Sequence, residues 1–161
     1  MKMLLNESDR KLKSQLCNIV SQVFNNVCLV QDEEIEKETV DNLEEFPEVM
    51  EYITKFLGCE INEENLLNIE SSLQLLASNF SDLIDDYDTH KKDFLACFRN
   101  FFKTSSLSLK TKTSRTIAEI ISYCDKDEFK QYNEFVLNIL ETTLRCFENS
   151  NEESNVYYHF Y

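Results

Sequence analysis

The sequence predicts an all-α fold, and three observations carry that prediction. Only one glycine and one proline occur in 161 residues. The chain therefore lacks the residues that hairpin turns and strand corners use. Apolar residues recur instead at steps of three and four along most of the length, the period of a buried helix face. Six to seven helices follow from that pattern. They are expected to pack as a short right-handed solenoid of helical hairpins or as an irregular helical bundle. A chain that is 42% hydrophobic and 161 residues long can bury a core of its own. One helical domain is expected over 1–148, followed over 149–161 by a tail that is polar and then aromatic.

The opening segment, Met1 to Glu7, holds a short apolar run that breaks into charge, which is not the pattern of a signal peptide. The first helix is predicted over 9–29 with Ser8 as its cap, and Leu12, Leu16, Ile19, Val20, Val23, Phe24 and Val27 as its apolar face. Next comes an acidic stretch, 31–48, with nine carboxylates against Lys37 alone. It reads as a solvated loop and helix face. A second helix starts at Asp41 or at Pro47, since proline is tolerated in a first helical turn. Its stripe is Val49, Met50, Ile53, Phe56 and Leu57, and Gly58 stands where a C-cap belongs.

Asn62 is predicted to cap a third helix, which buries Leu66, Leu67, Ile69, Leu73, Leu76 and Phe80. The aspartates at 85, 86 and 88 mark a break. They lack the glycine that a calcium loop of the familiar kind needs, so they read as a connector that caps the next helix. That helix carries Phe94, Leu95, Cys97, Phe98, Phe101 and Phe102, and Thr104-Ser105-Ser106 ends it. Another helix, over 108–124, uses Leu109, Ile117, Ile120, Ile121 and Cys124. The last, over 127–148, uses Phe129, Tyr132, Phe135, Val136, Ile139, Leu140, Leu144 and Phe147. The final Val156-Tyr157-Tyr158-His159-Phe160-Tyr161 is expected to pack back onto the body.

Two blocks of this pattern resemble each other. Leu73, Leu76 and Phe80 align with Ile117, Ile120 and Cys124 at an offset of 44 residues. Phe94, Cys97 and Phe101 align with Leu137, Leu140 and Leu144 at an offset of 43. A period near 44 lies in the range of two- and three-helix solenoid repeats. Over roughly 71–147 the chain resembles armadillo- or HEAT-like repeats. Ser114-Arg115-Thr116-Ile117-Ala118-Glu119-Ile120-Ile121-Ser122 and Glu134-Phe135-Val136-Leu137-Asn138-Ile139-Leu140 look like the last two helices of one unit. The glycine that family members carry between helices is missing. The resemblance implies a right-handed stack of helix hairpins whose final helices line a concave surface for a peptide or protein.

Catalytic chemistry finds little support in the composition. A single glycine excludes a phosphate-binding loop and a dinucleotide fingerprint. Any nucleophile paired with histidine would have to use His90 or His159, and both read as surface histidines. Six cysteines are too widely spaced for a zinc motif and read as small buried hydrophobes in a reducing compartment. No enzyme activity, cofactor or metal is expected, and a cytoplasmic or nuclear location is.

The charge map is more informative. Lys91, Lys92, Arg99, Lys103, Lys110, Lys112 and Arg115 face only Asp93 in sequence, a net of +6 in a chain of −14. Segregated charge of this kind steers partners. The seven cations are the predicted binding residues for an acidic peptide or protein, with Phe98, Phe101 and Phe102 as apolar contacts where exposed. Compensation by the chain's own acidic stretch is the purely structural alternative. The overall negative charge disfavours nucleic acid and anionic lipid. The expectation is thus a non-enzymatic protein–protein interaction module or adaptor. The second reading is a bundle similar to the apoptosis regulators that hold an amphipathic helix in a groove. Their Asn-Trp-Gly-Arg motif is missing here, since the chain has no tryptophan.

Overall fold

The three- and four-residue periodicity does become helix. The computed structural model describes the backbone of residues 1–32 and 47–158 and the side chains of 1–23 and 48–148, and the described elements are helical. In chain order they are α1 (Lys2–Asn6), α2 (Arg10–Asp32), α3 (Pro47–Leu57), α4 (Glu63–Ser78), α5 (Ile84–Phe102), α6 (Leu107–Tyr123), α7 (Lys126–Phe129) and α8 (Asn133–Tyr158). Single 3₁₀ turns, Phe80–Asp82 and Lys130–Tyr132, precede α5 and α8. The fold is all-α. The acidic residues 33–46, the side chain of Cys28, His159 and the packing of the aromatic C-terminus lie outside the described residues.

The chain divides into two compact units, Met1–Phe98 and Arg99–Tyr161. In the first, α4 packs against both α2 and α3. A helix contacted from two sides must be buried on more than one face. Ile69, Leu73, Leu75 and Leu76 are accordingly inaccessible, and so are the polar Glu70, Ser71 and Ser72. The predicted cap holds, because Asn62 Oδ1 accepts from the Asn65 amide at 2.9 Å. From α3 the predicted stripe Val49, Met50, Ile53, Phe56 and Leu57 is buried, joined by Tyr52. Gly58 does follow α3, but no glycine has positive φ, so it supplies no left-handed cap.

Three local expectations are corrected. Asp9 rather than Ser8 caps α2: its carboxylate accepts from the Leu12 amide at 2.9 Å, one position closer to the helix. The aspartates at 85 and 86 form no connector but occupy the first turn of α5, where the helix dipole favours carboxylates. Tyr87 and Phe94 explain why the helix starts this early, since both are buried, with rings 5.5 Å apart, and Tyr87 meets Phe80 edge-on at 5.1 Å.

The third correction concerns α2. The described ridge that is buried is Lys13, Cys17 and Ser21, spaced four apart. Of the predicted apolar face Leu16 and Val20 are half-buried, and the side chains of Phe24 and Val27 lie outside the described residues. Leu12, Ile19 and Val23 are about half exposed, at 50%, 55% and 49%. The reason is hydrogen bonding across to α4. Lys13 Nζ donates to Asn68 Oδ1 at 2.5 Å and to the Glu7 carbonyl at 3.0 Å. Gln74 Nε2 donates to Asn18 Oδ1 at 2.8 Å, and Asn79 Nδ2 to Ser21 Oγ at 3.1 Å. Arg10 lies 3.3 Å from the buried Glu70 carboxylate. Burial holds the Lys13 amine below its usual range and pushes the Tyr52 hydroxyl far above its own.

In the second unit α6 packs on α8. Ser106 caps α6 by accepting from the Leu109 amide at 3.2 Å, so the Thr-Ser-Ser run ends one helix and starts the next. Leu109, Thr113, Thr116, Ile117 and Ile120 form the buried side. Asp125 and Glu128 make a reciprocal capping box around α7. Tyr132, Phe135 and Thr142 are the buried residues at the start and along the inner side of α8. The helix continues past 148, through residues expected as a polar tail, to Tyr158.

Candidate functional site

The seven predicted cations fall on two helices, α5 and α6, and the loop between them. Lys91 and Lys92 lie on α5 within the first unit; Arg99 at the end of α5, Lys103 just beyond it, and Lys110, Lys112 and Arg115 on α6 lie in the second. Two of them are occupied by neighbouring carboxylates. Lys91 Nζ is 3.5 Å from Asp88 Oδ1, one turn back on the same helix. Arg99 grips Glu134 of α8 with both arms of its guanidinium: Nε donates to Oε2 at 2.9 Å and Nη2 to Oε1 at 2.6 Å. This fork holds the Glu134 carboxyl below the usual carboxylate range and raises the guanidinium further. Part of the basic segment is thus compensated inside the fold, by carboxylates other than the acidic stretch.

Lys92, Lys103 and Arg115 are exposed, and no ion pair among the described residues engages them or the half-buried Lys110. They do not converge on one spot. Arg99 and Lys103 border a cleft of about 330 Å³ with Glu134, Phe135 and Asn138. Lys110 meets Arg145 and Glu141 at a much smaller depression. Arg115 lines a separate cleft between α6 and α8. The phenylalanines expected to supply apolar contacts do not. Phe98, Phe101 and Phe102 are at most 8% exposed and belong to the core.

The apolar surface lies elsewhere. Leu137, Leu140, Leu144 and Phe147 are 77%, 55%, 63% and 65% exposed. Their 3-4-3 spacing places them on one side of α8, while Phe135 and Thr142 mark the buried side. Sequence reasoning assigned most of these residues to a single core stripe. One signal was present: between 132 and 147 the apolar positions cover too much of the helix for one face, so two faces need covering.

The positions aligned at offsets of 44 and 43 agree in one helix and diverge in the next. Leu73, Leu76, Ile117 and Ile120 are all fully buried. Phe94 and Phe101 are buried too, whereas their counterparts Leu137 and Leu144 are exposed.

Among the described residues the histidines and cysteines are not gathered into one site. His90 is half-buried on α5 with its ring 5.9 Å from Phe94. Among the described residues no three histidine, cysteine or acidic side chains are placed to hold a metal ion, and no helix is long and apolar enough to cross a membrane. Burial and the nearby Asp93 carboxylate push the Cys97 thiol up, away from nucleophilic character. No protein-family model, curated protein or solved structure matches this chain.

Proposed function

We propose that this chain is a non-enzymatic protein-interaction module that docks an amphipathic helix of acidic character on α8. The observation that carries this reading is the exposed face Leu137, Leu140, Leu144 and Phe147, which spaces its side chains as a helix-in-groove contact requires. Covering the exposed part of four such side chains yields roughly 4–8 kcal/mol before the costs of association. Those costs are of similar size, about 4–15 kcal/mol. The apolar face alone therefore supports a weak complex, and charge has to add rate and selectivity. Lys103, Lys110 and Arg115, on the same unit and without ion pairs among the described residues, are the cations for that role. Arg99 is assigned to holding Glu134 instead.

A reducing compartment, cytoplasm or nucleus, suits the five described cysteines, which carry thiols rather than disulfides. The test is a binding titration of designed amphipathic helical peptides, one acidic and one basic on the polar face, against the wild type, the Leu137→Glu/Leu140→Glu variant and the Lys103→Glu/Lys110→Glu/Arg115→Glu variant. Both variants should lose the acidic peptide, the charge variant chiefly through a slower on-rate and a flatter salt dependence. Equal binding by wild type and Leu137→Glu/Leu140→Glu would remove α8 as the docking surface.

A further inference from the structure

We propose that the cleft between α6 and α8 binds an aliphatic carboxylate, a single acyl chain with its carboxylate head at Arg115. The cleft lies wholly in the second unit and has a volume of about 420 Å³, within the range of roughly 300–1,000 Å³ usual for small-molecule sites. Ala118, Ile139 and Phe147 supply apolar wall, and Arg115 is the one cation among the described residues that line it.

The hydroxyls that line the cleft separate into two kinds. Thr111, Thr142 and Thr143 are satisfied within their own helices, donating to the carbonyls of Leu107, Asn138 and Ile139 at 2.7–2.8 Å. Ser114 lines the same cleft, is only 8% exposed, and its Oγ has no hydrogen-bond partner. A buried hydroxyl without a partner is uncommon, because its lost hydration goes uncompensated. It stands next in sequence to Arg115, which makes no ion pair among the described residues. A donor hydroxyl and a guanidinium that line one apolar cleft match a carboxylate on an alkyl chain. One guanidinium balances a monoanion, whereas a phosphate dianion would call for further cations. The cleft shares Phe147 and Arg115 with the docking reading but not Leu137 and Leu140, so a variant at those two leucines separates the two sites.

The test is calorimetric titration of the full chain with sodium decanoate, kept below micelle formation. Acetate serves as the head without the chain, and decyltrimethylammonium as the chain with the opposite charge. Decanoate should bind saturably at one site, at least tenfold tighter than either control. Arg115→Gln should weaken it about tenfold, and Ala118→Phe, an exposed position that fills the cleft, should abolish it. Thr143→Phe, exposed on the facing helix, serves as the blocking variant where Ala118→Phe does not fold. Leu137→Glu/Leu140→Glu should bind decanoate as the wild type does. Absence of saturable binding would overturn the assignment, as would decyltrimethylammonium binding as tightly as decanoate. Unchanged affinity in both Arg115→Gln and the folded blocking variant would do the same.

Discussion

Helices α5 and α8 are both rich in leucine, phenylalanine or both, and they spend that character in opposite ways. On α5, Phe94, Phe98, Phe101 and Phe102 are all buried, so the helix is committed to the core. On α8, Phe135 at the start is buried, while Leu137, Leu140, Leu144 and Phe147 remain 55–77% exposed. Helix α2 extends the contrast, since it points Lys13, Cys17 and Ser21 inward and leaves Leu12, Ile19 and Val23 half exposed. Apolar periodicity identifies a helix that needs partners. It does not say whether the partner belongs to the same chain.

The largest expected effect comes from exchanging the same kind of side chain on the two helices. Phe98→Ala should destabilise by about 3–5 kcal/mol, because Phe98 is wholly inaccessible and its removal leaves a cavity. Leu140→Ala should stay within about 0.5 kcal/mol of wild type, as surface changes do. Urea denaturation measures both, and a large loss for Leu140→Ala would mean that the outer face of α8 is packed after all. A smaller effect is expected on α2. Arg10→Ala strips the buried Glu70 of the cation 3.3 Å away and should cost about 2 kcal/mol. Restoration of stability by Glu70→Leu in the same chain would show that the loss comes from an uncompensated carboxylate.

Third in size is the fork from α5 to α8. Glu134→Gln should cost less than about 1 kcal/mol, since the pair is exposed and screened by salt. The sign of its pH dependence follows from the depressed Glu134 acidity in the folded state. The contribution is complete above the ordinary glutamate range and fades as pH falls through the lower, folded value. A wild-type minus variant stability difference that grew on acidification would contradict it. Smallest is Ile19→Ser on the outer face of α2, expected within about 0.5 kcal/mol by thermal unfolding. A loss above about 1 kcal/mol would restore the predicted apolar face of α2 to the core.

Much of the fold was legible. Asn62 as a cap, the stop at Thr104-Ser105-Ser106, and the buried stripes of α3 and α5 all depend on residues within a turn or two of each other, where side-chain chemistry acts on the neighbouring backbone. The site was legible only in part. Seven cations stood out as charge, but Glu134, which consumes Arg99, lies 35 residues away in sequence. Ser114 carried no signal at all, because an unpartnered hydroxyl is defined by what fails to surround it.

The sequence by itself determined that the chain is helical and roughly where α3, α4 and α6 begin and end, because the helical period and the capping bonds are local. Only the tertiary structure decided which side of α2 and α8 faces inward. Hydrophobic burial has no direction of its own. On α2 the outcome was set by hydrogen-bond partners on α4 that lie 55–60 residues away in sequence.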